Sequence, residues 1–273
     1  MPEPDRYAVV GHPVHHSRSP LIHGMFARQA GDRLSYGLID AEPEEFENTV
    51  RGFFAAGGKG LNVTVPHKQA AYRLAQRLGR EAALAQAVNT LSLEHEMIRG
   101  DNTDGIGFMR DLALNFRRSV AGQRVLILGA GGAARGIVAP LLGAGPAQLW
   151  LANRTLERAE DLRREFLGLG EIVVSSFQDL DRLPPFDIVI NATSAGLKGV
   201  QPAFPGNLLS AESFCYDLAY SVNDTPFVAW ARANGAGETA QGWGMLVEQA
   251  AESYLIWRGH RPDTAPVLET LAR

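Results

Sequence analysis

Short runs rich in β-branched and aromatic residues alternate with helix-forming stretches along almost the whole chain. This alternation restricts it to the α/β class with parallel sheets. YAVV precedes a helix predicted from Pro20 to Ala30, LSYGLI one from Pro43 to Ala56, and LNVTV one from His67 to Leu78. The rhythm restarts after Gly122 with RVLILG, a helix from about Gly132, QLWLAN, a helix from about Thr155, then EIVVS and DIVIN. VLIL and IVIN are continuous apolar runs, as expected of strands covered on both faces, so a second parallel sheet is expected. Between the two rhythms, GDNTDGIGFMRDLALNF reads as a polar turn and then a helix with apolar positions at Ile106, Met109, Leu112 and Leu114, which sets a boundary near residue 105. MLVEQAAESYLIW, after Gly244, is strongly helical and no strand follows it, the pattern of a terminal helix that packs back on the first domain. The expected division is 1–104 completed by 240–273, with 105–239 as the second domain. A length of 273 residues suits two such domains.

The formal charge of −4 gives no basic field for nucleic acid or an anionic membrane, which leaves a small molecule as the expected partner. MPEPDR lacks the charged-then-apolar layout of a secretory signal, and no apolar run approaches the length of a membrane span. One cysteine, Cys215, excludes an intramolecular disulfide and any multi-cysteine metal site; within FCYDL it reads as a buried strand residue, and a reducing cytoplasm fits. No cluster of histidine and carboxylate with metal-ligand spacing occurs, and no G-x-S-x-G elbow, so neither a metal nor a serine hydrolase is expected.

VLILGAGGAARG runs a strand directly into Gly129, Ala130, Gly131 and Gly132, with Ala133, Ala134 and Gly136 opening a helix. Such glycines let backbone N–H groups approach a pyrophosphate at the positive end of a helix, and a second strand follows at the proper distance, so a dinucleotide is expected. QLWLANRT ends where an NAD-binding protein usually offers a carboxylate to the ribose 2′-hydroxyl. Here Asn153 and Arg154 stand instead, with Arg158 one helical turn on. The missing carboxylate and the two guanidinium groups favour a 2′-phosphate and hence NADP, although both arginines are also compatible with a solvated helix surface and Thr155 with a simple helix N-cap.

In the first domain, HHSRSPLIH sets Ser17 and Ser19 before Pro20. Ser19 suits a helix N-cap; Ser17 is not needed for that, and the two hydroxyls beside a helix start would suit a carboxylate. In LNVTVPHK the strand stops at Pro66, which puts Lys68 at the carboxyl edge of a sheet where open α/β sheets bind ligands. The dipole of the helix that begins there opposes its positive charge, a useful setting for a proton-transfer group. Asp104 of GDNTDG is its natural partner, while Asp101 reads equally as a turn former.

GHPVHHSRSP, NVTVPHK, AVNTL, GDNTDG, GAGGAARG, NRTLERA, NATSAG and GWGMLVEQA, in this order and spacing, resemble the shikimate dehydrogenases over nearly the whole chain. The resemblance implies an N-terminal α/β substrate domain, a Rossmann-type NADP-binding domain, a terminal helix returned to the first domain, and a cleft holding both ligands. It implies NADPH-dependent reduction of 3-dehydroshikimate to shikimate, with Lys68 and Asp104 as the catalytic pair. Ser17 and Ser19 match the serines that hold the carboxylate, Thr64, Asn89, Thr103 and Gln249 the polar groups around the ring hydroxyls, and Tyr220 a tyrosine near the carboxylate. Gly129 through Ala134 match the phosphate loop; Asn153, Arg154, Thr155 and Arg158 match the 2′-phosphate clasp; Thr193 and Gly242 match residues near the nicotinamide. The chain departs from the commonest pattern where His12 replaces a frequent Asn, Gln241 replaces a frequent Asp, and SVND follows Tyr220 without the common proline. These departures bear on fine substrate and cofactor preference and leave the catalytic pair untouched. A quinate/shikimate dehydrogenase using NAD or NADP, and a non-catalytic binding protein on the same scaffold, remain as alternatives, and monomer and homodimer both stay open.

Overall fold

The computed structural model describes residues 3–193 and 204–271. The chain forms two compact units, one from Met1–Gly107 with Leu246–Arg273 and one from Phe108–Met245.

The first unit opens with β1 (Asp5–Gly11), α1 (Ser19–Ala30), β2 (Leu34–Asp40), α2 (Phe46–Ala55) and β3 (Gly60–Val63), and β1 pairs in parallel with both β2 and β3. The sheet then departs from an all-parallel one. After α3 (Lys68–Leu74), the short strand β4 (Arg77–Leu78) and α4 (Arg80–Ala85), β5 (Thr90–Glu94) and β6 (Met97–Asp101) form a hairpin, and β5 runs antiparallel to β3. The hairpin turns at His95 and Glu96, both at positive φ. The helix expected to reach Leu78 stops at Leu74. The N–H of Gln76 goes to Ile98 O and that of Gly79 to Gly100 O, so pairing with the edge of β6 replaces further helical bonds.

The second unit holds β7 (Arg124–Leu128), α6 (Gly132–Gly143), β8 (Gln148–Asn153), α7 (Leu156–Glu165), β9 (Val173–Ser176), β10 (Ile188–Asn191), β11 (Phe214–Asp217), α8 (Pro226–Ala233) and β12 (Glu238–Gln241). All its strand pairs are parallel, in the order β12-β11-β10-β7-β8-β9. That is the doubly wound Rossmann order, with its switch point between β7 and β10. Cys215 is buried in β11, and burial pushes its thiol up to about 12.

The helix α5 (Asp104–Arg110) passes at Asp111 into a π-helical turn ending at Asn115. The wider turn shifts the apolar register: Phe108 and Leu112 are fully buried, whereas Leu114, expected on the same face, is exposed. The turn is fixed by the buried Asp111 carboxylate, which accepts from Tyr216 Oη at 2.5 Å and Asn115 Nδ2 at 2.7 Å.

From Leu246 onward α9 (Trp243–Arg258) belongs to the first unit, where Val247, Ala250, Ala251 and Tyr254 share a core with Ile22 and Phe26 of α1 and with Val267 of α10 (Ala265–Leu271). Arg258 anchors it with bonds to Asp32 at 2.9 Å and Asp5 at 2.6 Å. No helix among the described residues is long and apolar enough to cross a membrane.

Candidate active site

Strand direction gathers the candidate residues of the first unit at one sheet edge. Asn62 stands opposite Thr90, and Thr90 opposite Asp101, so the carboxyl ends of β1, β2, β3 and β6 meet the start of β5. Lys68 follows β3 as the first residue of α3, Asn89 precedes β5, and Thr103 and Asp104 follow β6.

Lys68 Nζ lies 2.6 Å from Asp104 Oδ2, with the lysine side chain 26% exposed and the aspartate 10%. One of the three ammonium protons is thereby committed and the others stay available to a bound oxygen. Asp104 Oδ1 accepts from Asn89 Nδ2 at 2.9 Å, and the same amide donates to Thr103 Oγ1 at 2.9 Å and approaches Gln249 Oε1 at 3.2 Å. The Asp104 N–H is held by Asn102 Oδ1 at 3.0 Å. Gln249 reaches this group because α5 and α9 come very close: a Cβ on Gly107 would fall 2.6 Å from Gln249 N.

Ser17 and Ser19 form a separate pair, their hydroxyls 3.1 Å apart. Ser19 does not cap α1. It is the first helical residue, Arg18 occupies the cap position, and Ser17 Oγ accepts the Ser19 N–H at 3.3 Å, so Ser17 takes up part of the work expected of Ser19. Thr64 lies in the turn between β3 and α3, where its carbonyl accepts the His67 N–H at 2.9 Å. His67 Nε2 bonds Ala41 O at 2.8 Å and its ring stacks on Phe46, so this buried histidine fixes the turn. Asp101 is not a turn former: it ends β6 and pairs with Arg99 through two bonds.

His12 departs most visibly in its surroundings. Its Nδ1 lies 2.6 Å from Asp40 Oδ1 and its Nε2 3.2 Å from Glu42 Oε2. The Asp40 hydrogen bond, with the nearby carboxylates, raises the pKa of His12, and His12 in turn lowers that of Asp40.

In the second unit the carboxyl ends of β7, β8, β10, β11 and β12 carry the remaining candidates. Gly129 has φ +104°, and a Cβ there would lie 3.0 Å from Ala192 O across the switch point, so only glycine fits comfortably. A Cβ on Gly131 or Gly132 would meet nothing within 4 Å, and α6 begins without a side-chain cap or an acidic residue in its first turn. Its leading N–H groups, among them those of Ala133 and Ala134, therefore suit a pyrophosphate. The Ala130 N–H is steered by Asn153 Oδ1 at 3.3 Å, and Asn153 Nδ2 donates to Thr155 O at 2.7 Å. Thr155 occupies the α7 cap position, but its hydroxyl makes no cap bond. Arg154 and Arg158 are exposed at the same end, without an ion pair among the described residues. These groups fit NADP.

Thr193 Oγ1 donates to Asn191 Oδ1 at 2.7 Å, and Asn191 in turn donates to the buried Asp217 at 2.9 Å. Burial raises the pKa of Asp217, against the bonds from Thr225 and the Ala219 N–H. The motif NATSAG runs on to Gly196, and its residues 194–196 lie outside the described residues. Gly242 donates its N–H to Ala219 O at 3.0 Å, and Gln241 accepts the Ser221 N–H at 2.7 Å. Tyr220 belongs to this second unit, its ring 4.4 Å from that of Trp243.

Four polar residues behind Asn89 went unread in the sequence: Tyr36, Asn62, Thr90 and Ser253. They are linked by hydrogen bonds of 2.7 to 3.0 Å. The available signal was polar residues at inward positions, Asn62 inside LNV and Thr90 inside NTL, where an apolar side chain would be the default.

Comparison with known proteins agrees along the chain. Residues 9–91 match the family described as the shikimate dehydrogenase substrate binding domain, residues 111–218 shikimate / quinate 5-dehydrogenase, and residues 242–272 the shikimate 5′-dehydrogenase C-terminal domain. The shikimate dehydrogenase (NADP(+)) of Hahella chejuensis is 51% identical over 98% of this chain and 98% of its own length. Among solved structures, an Ael1 enzyme from Pseudomonas putida superposes with a TM-score of 0.92 at 46% identity over 98% of each chain. The shikimate 5-dehydrogenase of Thermus thermophilus, in complex with NADP(H) and shikimate, does so with 0.86 at 31% identity over 97% of each chain.

Proposed function

The chain belongs to the shikimate dehydrogenase family, and from that premise we propose that it reduces 3-dehydroshikimate to shikimate with NADPH, Lys68 and Asp104 handling the proton. The observation that carries the reading is the 2.6 Å contact between Lys68 Nζ and Asp104 Oδ2, with Asn89 bonded to the other carboxylate oxygen. NADPH, when bound, supplies the hydride that adds to the C3 carbonyl carbon. Lys68 donates a proton from Nζ to the oxygen as negative charge develops there, and the neutral amine then recovers its proton from solvent. Asp104 orients the ammonium through the Nζ–Oδ2 contact. Ser17 and Ser19 are assigned to the substrate carboxylate, and Thr64, Asn89, Thr103 and Gln249 to the ring hydroxyls. Gly129 to Ala134 would hold the pyrophosphate, Asn153 to Thr155 with Arg158 the 2′-phosphate, and Thr193 and Gly242 the nicotinamide side. For assembly and setting, the reading is a monomer or homodimer in the cytoplasm, resting on the modest net charge and the single buried thiol.

The test is kcat/KM for 3-dehydroshikimate and 3-dehydroquinate, each with NADPH and NADH. A strong preference for 3-dehydroshikimate with NADPH is expected. Comparable rates with 3-dehydroquinate or NADH would replace the reading with a quinate/shikimate dehydrogenase, and binding without turnover would replace it with a non-catalytic protein.

A further inference from the structure

The four polar residues behind Asn89 form a buried hydrogen-bonded group that ends on the Asn89 amide. Tyr36 Oη donates to Asn62 Oδ1 at 2.7 Å, and Asn62 Nδ2 donates to Ser253 Oγ at 3.0 Å. Thr90 Oγ1 gives its single proton to Asn89 Oδ1 at 2.9 Å, an atom that only accepts. Ser253 Oγ gives its own proton to Gln249 O at 3.1 Å and lies 2.8 Å from Thr90 Oγ1. Asn89 Oδ1 also accepts the Thr103 N–H at 2.9 Å, so two donors converge on it and turn the amide nitrogen toward Asp104 Oδ1. The directed part of the chain thus runs from Thr90 to Asn89 and on to Asp104, with Asn62 and Ser253 packed around the Thr90 hydroxyl. Successive bonds in such a chain polarise one another, most where water is excluded. Thr90 and Ser253 are fully buried.

We infer that Thr90 is a positioning residue for the proposed reaction: as the buried hydroxyl that donates to Asn89 Oδ1, it holds the Asn89 amide against Asp104 and so aligns the Lys68–Asp104 pair. The inference rests on the roles proposed above for Lys68 and Asp104. Thr90 Oγ1 bonds to Asn89, Asn62 and Ser253, and it acts through Asn89. The arrangement also explains why a threonine stands in the interior of a buried strand, where valine has the same shape and no polar group to satisfy.

Thr90→Val removes the hydroxyl and leaves the other members with partners. Ser253 keeps the carbonyl of Gln249 at 3.1 Å, Asn62 keeps that of Asn89 at 3.1 Å, and Asn89 Oδ1 keeps the Thr103 N–H. The variant should therefore fold, with the Asn89 amide held by one donor instead of two. Steady-state kinetics with 3-dehydroshikimate and NADPH should show kcat lowered about 10-fold, the order of loss for a misaligned catalytic group, with KM for NADPH unchanged. Thr90→Ser, which restores the hydroxyl, should return kcat to near the wild-type value. In ¹⁵N-labelled protein the Asn89 side-chain amide resonances, assigned by their loss in Asn89→Asp, should shift in Thr90→Val and stay in place in Thr90→Ser. A wild-type kcat with unmoved resonances in Thr90→Val, or a Thr90→Ser variant as slow as Thr90→Val, would overturn the inference. If the unaltered protein does not turn over 3-dehydroshikimate, the functional reading fails and the resonances alone decide: shifted, they sustain the role of Thr90; unmoved, they overturn it.

Discussion

His23 gives the first unit a stability that depends on pH with a sign opposite to that of a salt-bridged histidine. Its ring is buried on α1, stacked 4.3 Å from Tyr36 at an interplanar angle of 7°, with Trp257 at 5.4 Å and Phe26 at 5.9 Å. Neither ring nitrogen makes a hydrogen bond, since the neighbouring Asn62 is already committed to Tyr36 and Ser253. Burial lowers the pKa of His23 from 6.5 to about 3, with Asn62 nearby acting in the opposite sense. The folded form thus prefers the neutral ring, while the unfolded chain takes up a proton near pH 6.5. The stability tied to His23 is complete above that pH and falls away as pH drops from 6.5 toward 3. At pH 5.0 the unfolded state is favoured by about 1.5 pH units of proton binding, a loss of about 2 kcal/mol relative to pH 7.5. Against a total of roughly 5–15 kcal/mol for a folded domain, this is measurable. His23→Phe keeps an aromatic ring in the stack and removes the titration. Urea denaturation of both proteins at pH 7.5 and 5.0 should show the wild type losing about 2 kcal/mol more than the variant across that interval. Equal losses would refute the assignment, because every other titrating group is common to the two proteins.

Lys68→Ala should lower kcat by roughly 10²-fold or more with modest change in the KM for 3-dehydroshikimate, and an unchanged kcat would remove Lys68 from the proton path. Replacing Arg154 and Arg158 together by Ala should raise the KM for NADPH by about 10-fold or more, the scale of lost charge-assisted hydrogen bonds, and leave that for NADH alone. An equal rise for both cofactors would place the arginines elsewhere than on the 2′-phosphate. The exposed His12–Asp40 contact has the opposite pH sign to His23. The raised pKa of His12 makes its contribution complete below 6.5 and lost as pH rises through the folded value, while the lowered pKa of Asp40 makes its own contribution complete above 3.8 and lost as pH falls through the folded value. An NMR titration should find the His12 midpoint above 6.5 and moved down by Asp40→Asn; a midpoint indifferent to that change would dismiss the pair.

The central strands β7 and β10 of the second unit were readable because they meet the one requirement that periodicity detects, whereas β12, ETAQ, went unread. Val125 to Leu128 and Ile188 to Ile190 are covered on both faces and are apolar throughout, and the glycines after β7 begin with Gly129 at positive φ. The first unit is harder to read past Lys68. Arg77 and Leu78 carry ordinary helix-forming side chains, and only pairing with the edge of β6 draws them out of the helix. β5 and β6 join through His95 and Glu96, which reach positive φ without the glycine or asparagine that would announce a tight hairpin. Leu114 follows helical spacing and still faces solvent, because the π-helical turn held by Asp111 depends on Tyr216, more than a hundred positions away. Lys68, Asp104, Asn89 and Gln249 were legible as a set only through the family resemblance. Local chemistry proposed the lysine and one aspartate but offered no reason to bring position 249 to position 89.

That last connection accounts for the discontinuous first unit. Gln249 and Ser253 stand one helical turn apart on the same side of α9, the first directed to the Asn89 amide and Thr103, the second to the Thr90–Asn62 chain behind them. The chain from β1 to β6 supplies Asn62, Asn89, Thr90 and Thr103 but lacks Ser253, the member that joins Asn62 to Thr90 within 3.0 Å. A protein ending after the second unit would leave that polar surface facing water, where the same groups would be solvated and free to reorient. With α9 returned and anchored through Arg258 to Asp5 and Asp32, they are buried and each has a partner. The terminal helix therefore does two jobs with one docking: its apolar residues complete the core beside α1, and its two polar residues convert a cluster of mobile amides and hydroxyls into a preorganised support for Asp104.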